Sequence, residues 1–387
     1  MRKALLAVVA AGLLVTAGTA GCTDSKADDE AGGGATQGAA GTGKIGVVLP
    51  DTTSSERWKT QDSKYLKAAF AKAGVPAEIE NAEGDRTRFI EIADRMIAGG
   101  AKVLIIASLD AATGGEVLAH ARKAKVKTID YDRLTLNGGA DYYVSFDNVK
   151  VGQLQGEGLV KCLADKKHNN PVVAEVNGSL DDNNATLFKQ GYDSVLQKKY
   201  DDAAYRKGPD QSATDWKPVV GTQIFTEMIK QQPEIRGVLA ANDGLAGAVI
   251  EVLKLHRLNG QVPVTGQDAT VDGLRAILVG DQCMTVYKAI RPQAQAAANL
   301  AIALFKGEQP TAATLELPAG QRIVSIKDPR SGANVPFVSL TPKTITIDNI
   351  QDVIDDDYAD AKAVCKGQPY QQLCADHQIG PRAAARS

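Results

Sequence analysis

The sequence predicts an α/β protein in which parallel sheets are covered by helices, and two observations predict it. From residue 44 onward, short β-branched runs alternate with longer helical patterns, beginning with residues 44–50 and 56–72. Polar clusters recur directly after the apolar runs, where open parallel sheets carry their binding groups. More than eight such units could form one barrel or two doubly wound sheets, and the clusters favour two lobes.

The composition is that of a globular protein with no specialised class. The chain has 387 residues, 44% of them hydrophobic and 23% charged, which suits two or three domains. Its 46 acidic and 44 basic side chains give a formal net charge of −2, so no basic excess calls for a nucleic-acid partner. Aromatic residues make up only 5% of the chain, with Trp58 and Trp216 the only tryptophans, which argues against the aromatic-studded basic groove of single-strand binders.

The first 21 residues have the pattern of a secretory signal peptide. Arg2 and Lys3 precede an apolar run at residues 4–15, which is shorter than the roughly 20 residues that a permanent membrane helix needs. Small residues then lead to Cys22 and resemble the end of a bacterial lipobox, although Thr19 stands where Leu is usual. We expect lipidation of Cys22 and an extracytoplasmic chain tethered to the outer face of the cell membrane. Cleavage by an ordinary signal peptidase is the alternative.

Residues 22–43 are predicted to form a flexible linker. After Cys22 they are dominated by Gly, Ala, Asp and Thr and contain no large apolar side chain. The run that ends at Lys44 superficially fits a phosphate-binding loop, but Ile45 stands where Ser or Thr would hold magnesium. The run also precedes a strand instead of following one, so we reject a nucleotide site here.

The folded part contains further strand candidates in chain order, with helical patterns between most of them. These lie at residues 77–80, 103–107, 126–131, 142–146, 172–176, 237–241, 262–265 and 284–287.

Four polar clusters share one placement, since each comes just past the end of a predicted strand. They are Glu56-Arg57-Trp58, Asp132-Arg133, Asn242-Asp243 and Gln267-Asp268. Because ligands in open parallel sheets bind at the carboxyl ends of the strands, we expect the clusters to converge on one surface. Alternative interpretations are a surface salt bridge for Asp132-Arg133, helix N-caps for Asn242-Asp243 and Asp268, and simple packing for Trp58.

The residue types in these clusters match the chemistry of a small sugar. A sugar presents hydroxyls at its rim and C–H patches on its faces. Arg and Asp make charge-assisted hydrogen bonds to hydroxyls, and Asn both donates and accepts. The indoles of Trp58 and Trp216 can cover the faces of the ring.

The chain resembles a known family along most of its folded part, from about residue 44 to residue 310. The similarity is to the xylose-binding branch of the type 1 periplasmic binding proteins of bacterial ABC sugar importers, a family that also includes ribose binders. The segments that carry it are Glu56-Arg57-Trp58, Tyr131-Asp132-Arg133, Ser145-Phe146-Asp147-Asn148, Asp182-Asn183-Asn184-Ala185, Ala241-Asn242-Asp243, Gly266-Gln267-Asp268 and Met284-Thr285-Val286-Tyr287-Lys288.

The resemblance implies ten sugar-contacting side chains. For Trp216 the match consists of little more than the pair Asp215-Trp216. The ten are Arg57, Trp58, Asp132, Arg133, Asp182, Asn184, Trp216, Asn242, Asp268 and Lys288.

The resemblance also implies two doubly wound parallel-sheet lobes joined by a three-segment hinge, with crossings near residues 145–148, 287–289 and 340–343. Lobe one would comprise residues 44–146 plus 289–340, and lobe two residues 147–288 plus 341–387. The implied function is capture of a monosaccharide, expected to be D-xylose, by hinge closure, followed by delivery to an ABC permease. A sugar sensor that feeds a membrane receptor kinase, or a binder of glucose or ribose, is the alternative. We expect a monomer without a cofactor.

Four cysteines remain beyond Cys22, and an even set in an exported chain suggests disulfides. Cys365 and Cys374 enclose eight residues in a C-terminal extension without a counterpart in the resemblance, which predicts a local disulfide. Cys162 and Cys283 could pair within lobe two. Metal ligation competes with this interpretation, but the four histidines are scattered and no Cys-x-x-Cys occurs, so we expect no metal.

Two other function classes fit the sequence less well. A glycoside hydrolase could use Asp132 and Asp268, but we expect Arg133 and Lys288 to keep these carboxylates ionised, which does not suit protonation of a leaving group. No Gly-x-Ser-x-Gly elbow for ester chemistry occurs. A transcription regulator of this fold would carry a helix-turn-helix head where this chain has a leader and linker. We therefore expect neither an enzyme nor a DNA-binding protein.

Overall fold

The structure is a computed structural model that describes residues 43–318 and 321–381. The predicted signal peptide, Cys22 and nearly all of the predicted linker lie outside the described residues. No helix among the described residues is long and apolar enough to cross a membrane.

The described residues form strands and helices that alternate along most of the chain. The strands are β1 (Lys44–Leu49), β2 (Ala77–Asn81), β3 (Ala101–Ile106), β4 (Lys127–Tyr131), β5 (Tyr142–Phe146), β6 (Val172–Asn177), β7 (Arg206–Ser212), β8 (Ile235–Ala240), β9 (Thr265–Gln267), β10 (Met284–Tyr287), β11 (Ile323–Lys327), β12 (Asn334–Leu340) and β13 (Lys343–Ile345). The α-helices are α1 (Arg57–Thr60), α2 (Asp62–Ala73), α3 (Arg86–Ala98), α4 (Ala111–Lys123), α5 (Asn148–Asp165), α6 (Asn183–Asp201), α7 (Pro218–Gln231), α8 (Asp243–Leu255), α9 (Val271–Leu278), α10 (Ile290–Phe305), α11 (Ile350–Asp355), α12 (Ala361–Val364) and α13 (Tyr370–Asp376). Two 3-10 helices, Thr214–Trp216 and Ile347–Asn349, complete the set.

The first lobe is built on a seven-stranded sheet in the order β11-β12-β5-β4-β3-β1-β2. All neighbours pair in parallel except β11, which is antiparallel to β12. Strand β1 shows why the sheet needs helices on both faces. Its side chains alternate, so that Ile45, Val47 and Leu49 join one core cluster and Val48 joins the cluster on the opposite face.

The second lobe contains two three-stranded groups, β7-β6-β8 and β13-β10-β9. An isolated parallel bridge between Val238 and Val264 places the groups side by side as one interrupted sheet. Helix α5 packs on this sheet, and α6 packs closely against α5. A side chain at Gly152 would overlap the backbone of Phe188, so glycine is required where these two helices approach each other.

The structure corrects several element predictions. The strand predicted at residues 262–265 instead runs from Thr265 to Gln267, because Pro263 has no N–H and contributes only its carbonyl, which accepts from the Val238 N–H at 2.9 Å. The helical pattern at residues 56–72 is two helices that meet at Gln61. Strand β7 was not predicted because its sequence, Arg-Lys-Gly-Pro-Asp-Gln-Ser, is that of an exposed edge.

Three crossings connect the lobes, which confirms the predicted fold class. The chain crosses from one lobe to the other between β5 and α5, between β10 and α10, and between β12 and β13. The Asp147 N–H donates to the Leu340 carbonyl at 3.0 Å and ties two crossings together. Because the crossings lie side by side, the lobes can pivot there, and the carboxyl ends of the strands of both sheets face one cleft.

Both cysteine pairs in the described residues form disulfides. Cys365 is joined to Cys374, with 5.9 Å between their Cα atoms. Cys162 of α5 is joined to Cys283 at the start of β10, with 6.4 Å between their Cα atoms. The first disulfide closes a short loop in the C-terminal extension, and the second ties a helix to a strand within the second lobe.

Candidate functional site

A cavity of about 320 Å³ lies between the lobes, and all ten predicted site residues line it. Serines, an aromatic ring and an amide that the prediction did not include complete its wall. The full lining is Ser54, Ser55, Arg57, Trp58, Asp132, Arg133, Asp182, Asn184, Phe188, Trp216, Asn242, Gln267, Asp268 and Lys288.

Two aspartates occupy equivalent positions in the two lobes. Asp132 follows β4 and Asp268 follows β9, and both have positive φ, 66° and 105°. Each N–H donates at 2.9 Å to a carbonyl of the next strand, that of Val144 for Asp132 and that of Val286 for Asp268. A left-handed backbone is uncommon for a residue other than glycine and is maintained only where the surroundings fix it. The same local arrangement therefore presents one carboxylate from each lobe to the cavity.

Asp132 is the centre of a buried charge network. Its Oδ1 accepts from Arg57 at 2.7 Å and from Lys288 at 3.4 Å, and its Oδ2 accepts from the Asn184 amide at 3.2 Å. Arg57 is only 2% exposed and also donates to Asp62 twice, at 2.6 and 3.0 Å, and to Gln293 at 2.8 Å. These contacts with described residues use four of its five N–H donors, so Arg57 mainly fixes Asp132.

The pKa values of the two aspartates are shifted in opposite directions. Burial tends to raise the pKa of Asp132, but Lys288, Arg57 and Arg133 outweigh it and bring the pKa well below its usual range. For Asp268, burial raises the pKa more than Lys288 and the Ser55 hydrogen bond lower it. The expectation that neighbouring cations keep both carboxylates strongly ionised therefore holds for Asp132 and is wrong in direction for Asp268, where desolvation dominates.

Asp130, near the end of β4, fixes the loop that carries Asp132 and Arg133. This carboxyl group is fully buried and accepts from the Thr135 N–H at 2.7 Å and from the Thr135 hydroxyl at 2.9 Å. Burial raises the pKa of Asp130 to about 7. The folded protein therefore holds this proton at pH values at which the unfolded chain, with an Asp pKa near ~4, has released it.

This difference in pKa predicts a pH dependence of stability. The contribution of Asp130 to the free energy of unfolding is fully present below about pH 4 and is lost as the pH rises through about 7. Between about pH 5 and about pH 8 the wild type should lose on the order of 2 kcal/mol relative to Asp130→Asn, whose amide does not titrate. Urea unfolding of both proteins measures this. Asp201→Asn, on the exposed end of α6, serves as the control, and equal pH slopes for wild type and Asp130→Asn would contradict the prediction.

The two tryptophans reach the cavity in different ways. Trp58 is 2% exposed and has two guanidinium groups near its ring, with the Cζ of Arg57 4.3 Å and that of Arg133 5.6 Å from the centroid. Trp216 has a positive φ of 57° and donates from Nε1 to Asp182 at 3.2 Å. Its ring meets Phe188 edge to face, with centroids 6.3 Å apart.

Two buried donors at the cavity have no hydrogen-bond acceptor among residues 43–318 and 321–381. They are the indole N–H of Trp58 and the Nε–H of Arg133. Arg133 Nε lies 3.0 Å from an Asp182 oxygen, so the charges are paired, but the N–H does not point along that line. Since an unsatisfied buried donor costs about 1–3 kcal/mol, the site is prepared for a molecule that brings acceptor oxygens.

Several contacts cross the cleft and show a closed arrangement of the lobes. Ser55 donates to Asp268 at 2.7 Å, and the Asn242 amide donates to the Ser54 carbonyl at 3.3 Å. The Asn184 amide donates to the Asp132 carbonyl at 3.0 Å. These bonds join residues that would separate if the lobes pivoted apart.

Of the alternative interpretations of the polar clusters, the structure supports the helix cap at Asn242 and contradicts the surface salt bridge and the cap at Asp268. Asp132 and Arg133 are 3% and 8% exposed, so they are not a surface salt bridge. Asn242 does cap α8, accepting from the Leu245 N–H at 2.9 Å, and also lines the cavity. Asp268 is not a cap, since Thr270 caps α9.

The prediction missed four lining residues, and the sequence signal for them was weak. Ser54 and Ser55 immediately precede the Glu56-Arg57-Trp58 cluster, and Gln267 stood beside Asp268 without an assigned role. Phe188 lies four residues after Asn184, a spacing that puts both side chains on one face of α6. That spacing could have found Phe188 once Asn184 was assigned.

Comparisons with known proteins identify the family and agree with the fold. A family model described as a periplasmic binding protein domain matches residues 45–309. The D-xylose-binding periplasmic protein of Escherichia coli is 32% identical over 312 residues, which cover 80% of this chain and 89% of that protein. The multiple sugar-binding periplasmic receptor ChvE of Rhizobium radiobacter is 31% identical, over 82% of this chain and 90% of its own. A carbohydrate transporter solute-binding protein of Chloroflexus aurantiacus, solved with D-glucose, superposes with a TM-score of 0.72 at 28% identity, over 82% and 97% of the two chains.

Proposed function

The chain belongs to the periplasmic binding protein family, and we propose that it captures a monosaccharide, D-xylose, by closure of its two lobes and delivers it to an ABC permease. It would do so without breaking a bond in the sugar. The proposal assigns the ten cavity residues named above as the sugar-contacting set. It also takes residues 44–146 plus 289–340 as lobe one and residues 147–288 plus 341–387 as lobe two.

The observation that carries the proposal is the presence of unsatisfied donors in a buried cavity that both lobes complete. The Trp58 and Arg133 N–H groups need acceptors, and the Asp268 carboxylate can accept from sugar hydroxyls. Hydrogen bonds to charged groups contribute about 1.5–3 kcal/mol each, so a few suffice for the roughly 8 kcal/mol of micromolar binding. Because neither lobe holds the whole set, bound sugar favours the closed state.

D-xylose is proposed as the ligand because a relative named for it is similar over most of both chains. Glucose and ribose remain alternatives, the former supported by the D-glucose complex of the Chloroflexus aurantiacus protein. A sugar sensor that feeds a membrane receptor kinase is a second candidate, since one relative is described as a receptor. Co-purification with a permease instead of a kinase distinguishes transport from sensing.

We further propose an extracytoplasmic location. The sequence pattern supports a signal peptide over residues 1–21 and a lipid on Cys22, which would tether a monomer to the outer face of the cell membrane. The two disulfides fit an oxidising compartment. Mass spectrometry of the mature N-terminal peptide tests the lipid directly: a diacylated cysteine supports it, and an unmodified peptide contradicts it.

Titration calorimetry with a panel of pentoses and hexoses tests the function. We expect 1:1 binding that is tightest for D-xylose. Tightest binding of glucose or ribose would reassign the ligand, and binding of no monosaccharide would overturn the proposal.

Gly178 provides a mutational test of the assigned site. It follows β6 and lies so close to the Trp216 indole that a methyl group there would overlap the ring. We expect Gly178→Ala to displace Trp216 and raise the sugar Kd by at least about tenfold, equivalent to about 1.4 kcal/mol. Gly247→Ala is the matched control, because a methyl group there would meet only open space. Calorimetry that finds both variants equal to wild type would remove Trp216 from the site.

A further inference from the structure

The C-terminal turn (residues 356–360) belongs by attachment to the second lobe. It connects α11 to α12, and both α12 and α13 contact α9 of that lobe. Arg275 of α9 donates to the Lys366 carbonyl at 3.2 Å, and its guanidinium Cζ lies 3.9 Å from the centroid of the Tyr370 ring. The Cys365–Cys374 disulfide closes the same segment. The segment that follows the turn is therefore attached to the second lobe.

The contacts of the C-terminal turn itself are made largely with the first lobe. The Tyr65 hydroxyl donates to the Asp357 carbonyl at 3.0 Å, and the Gln61 amide donates to the Tyr358 carbonyl at 2.8 Å. Arg291 donates to the Asp357 carboxylate at 3.0 Å. Gln61 and Tyr65 belong to the α1–α2 segment and Arg291 to α10, and these helices pack on the seven-stranded sheet. The turn thus bridges the lobes outside the hinge crossings.

The bridged residues are neighbours of the binding cavity. Gln61 directly precedes Asp62, which holds Arg57 with two hydrogen bonds. On its other side the Tyr358 ring packs on Tyr287, with centroids 5.1 Å apart, and Tyr287 directly precedes Lys288. Lys288 therefore has a chain neighbour in contact with the turn, and Arg57 is bonded to Asp62, whose chain neighbour Gln61 contacts the turn.

A separate cavity of about 520 Å³ lies behind the site. Arg57 contributes to the walls of both cavities, and Tyr358, Ala359 and Asp360 form one wall of the rear cavity. Ala269 and Thr270 of the second lobe complete it opposite Gln61. The C-terminal turn consequently covers the rear side of the cleft.

We propose that the C-terminal turn is a positioning element of the binding cavity, which holds the helix bearing Arg57 against the second lobe in the closed arrangement and slows release of the ligand. The turn is anchored on one lobe and bonded to the other, so a pivoting motion of the lobes breaks these bonds. They stabilise the closed state relative to the open state, and their loss is expressed in the dissociation rate more than in the association rate. The inference rests on the proposed function for its ligand.

The kinetic test uses the double variant Gln61→Ala, Tyr65→Phe, which removes both hydrogen bonds to the turn carbonyls while the Tyr65 ring remains. The matched control is Gln197→Ala, Tyr205→Phe, which removes the same groups from contacts made within the second lobe. Both tryptophans of the chain line the cavity, so stopped-flow tryptophan fluorescence with D-xylose reports on binding. We expect the dissociation rate constant to rise about tenfold and the association rate constant to change less than about twofold, with the control unchanged. An unchanged dissociation rate, or weaker binding through association alone, would overturn the proposal.

A second measurement needs no sugar and separates this proposal from the proposed function. Spin labels on Glu91→Cys of α3 and Glu227→Cys of α7 report the distance between the lobes by electron–electron double resonance. In the ligand-free protein the double variant should shift the distances to longer values than those of its labelled parent. If no sugar binds, the proposed function fails while this comparison still decides the role of the turn. Identical distance distributions would overturn that role.

Discussion

Replacing Arg133 with alanine is expected to raise the Kd for the sugar about a hundredfold while the protein remains folded. Among the described residues Arg133 makes only two hydrogen bonds, both long, to the Ser108 carbonyl at 3.2 Å and the Ser54 hydroxyl at 3.3 Å. Its Nε–H has no hydrogen-bond acceptor in the part of the chain that the structure describes, although Nε lies 3.0 Å from an Asp182 oxygen and the two charges are paired. The side chain therefore has donors available to a ligand, and the loss of its ion pair with Asp182 is expected to lower the stability without unfolding the protein. Calorimetry measures the loss, and circular dichroism checks the fold.

Arg86→Ala is the matched control for this prediction. Arg86 lies at the rim of the cleft, where it pairs with Asp110 at 2.6 Å and approaches Asp215 at 3.7 Å, and it is not part of the cavity wall. Exposed pairs of this kind contribute about 0–1 kcal/mol, so the Kd should change only a few-fold. Equal effects of the two substitutions would mean that net charge near the cleft, and not a direct contact, sets the affinity.

Asp132→Asn is expected to act on stability as well as on binding. The substitution keeps the shape of the side chain but leaves Arg57 and Lys288 buried with one negative charge fewer. Removing one partner of a buried ion pair typically costs about 3–5 kcal/mol. We therefore expect the free energy of unfolding, measured by urea denaturation, to fall by about 3 kcal/mol and sugar binding to be lost.

The control for Asp132→Asn is Asp165→Asn on the surface of α5. Asp165 is 4.0 Å from Lys161, and both side chains are more than half exposed. Surface pairs at this spacing contribute about 0.3–0.5 kcal/mol, so this variant should be close to wild type in stability and binding. A small stability loss for Asp132→Asn would show that Asp62 and Asp268 are enough to compensate Arg57 and Lys288.

The site could be predicted from the sequence where strand ends determined it. Asp132-Arg133, Asn242 and Asp268 follow β-branched runs, and parallel sheets bring such positions to one cleft, so the pattern carried real geometric information. The backbone that aims these residues was not predictable. The residue types do not indicate the positive φ of Asp132, Trp216 and Asp268, because contacts with chain segments distant in sequence hold this backbone conformation.

The direction in which the pKa of each aspartate shifts also depends on tertiary structure. Burial raises the pKa of both Asp132 and Asp268, and Lys288 and Arg57 lower both. Arg133 adds to these cations at Asp132, so that together they outweigh burial there, whereas the charge of Asp132 adds to burial at Asp268, and the two pKa values move in opposite directions. The sequence shows that cations are present but not how they divide between two carboxylates.

Two of the strands that escaped prediction have a polar sequence or a partner distant in the chain. Strand β7 is an exposed edge, and β13 is three residues long and pairs with β10 about sixty residues earlier. The role of the C-terminal turn was invisible for the same reason, since Gln61 and Tyr358 are separated by 297 positions and meet only in the folded chain.

The measurement that tests the central claim most directly is a crystal structure of the protein grown with D-xylose. The account predicts one pentose between the lobes, with its hydroxyls bonded to Arg133 of the first lobe and Asp268 of the second, and with Trp58 and Trp216 against the ring. A pentose bound elsewhere, or held by one lobe alone, would contradict it.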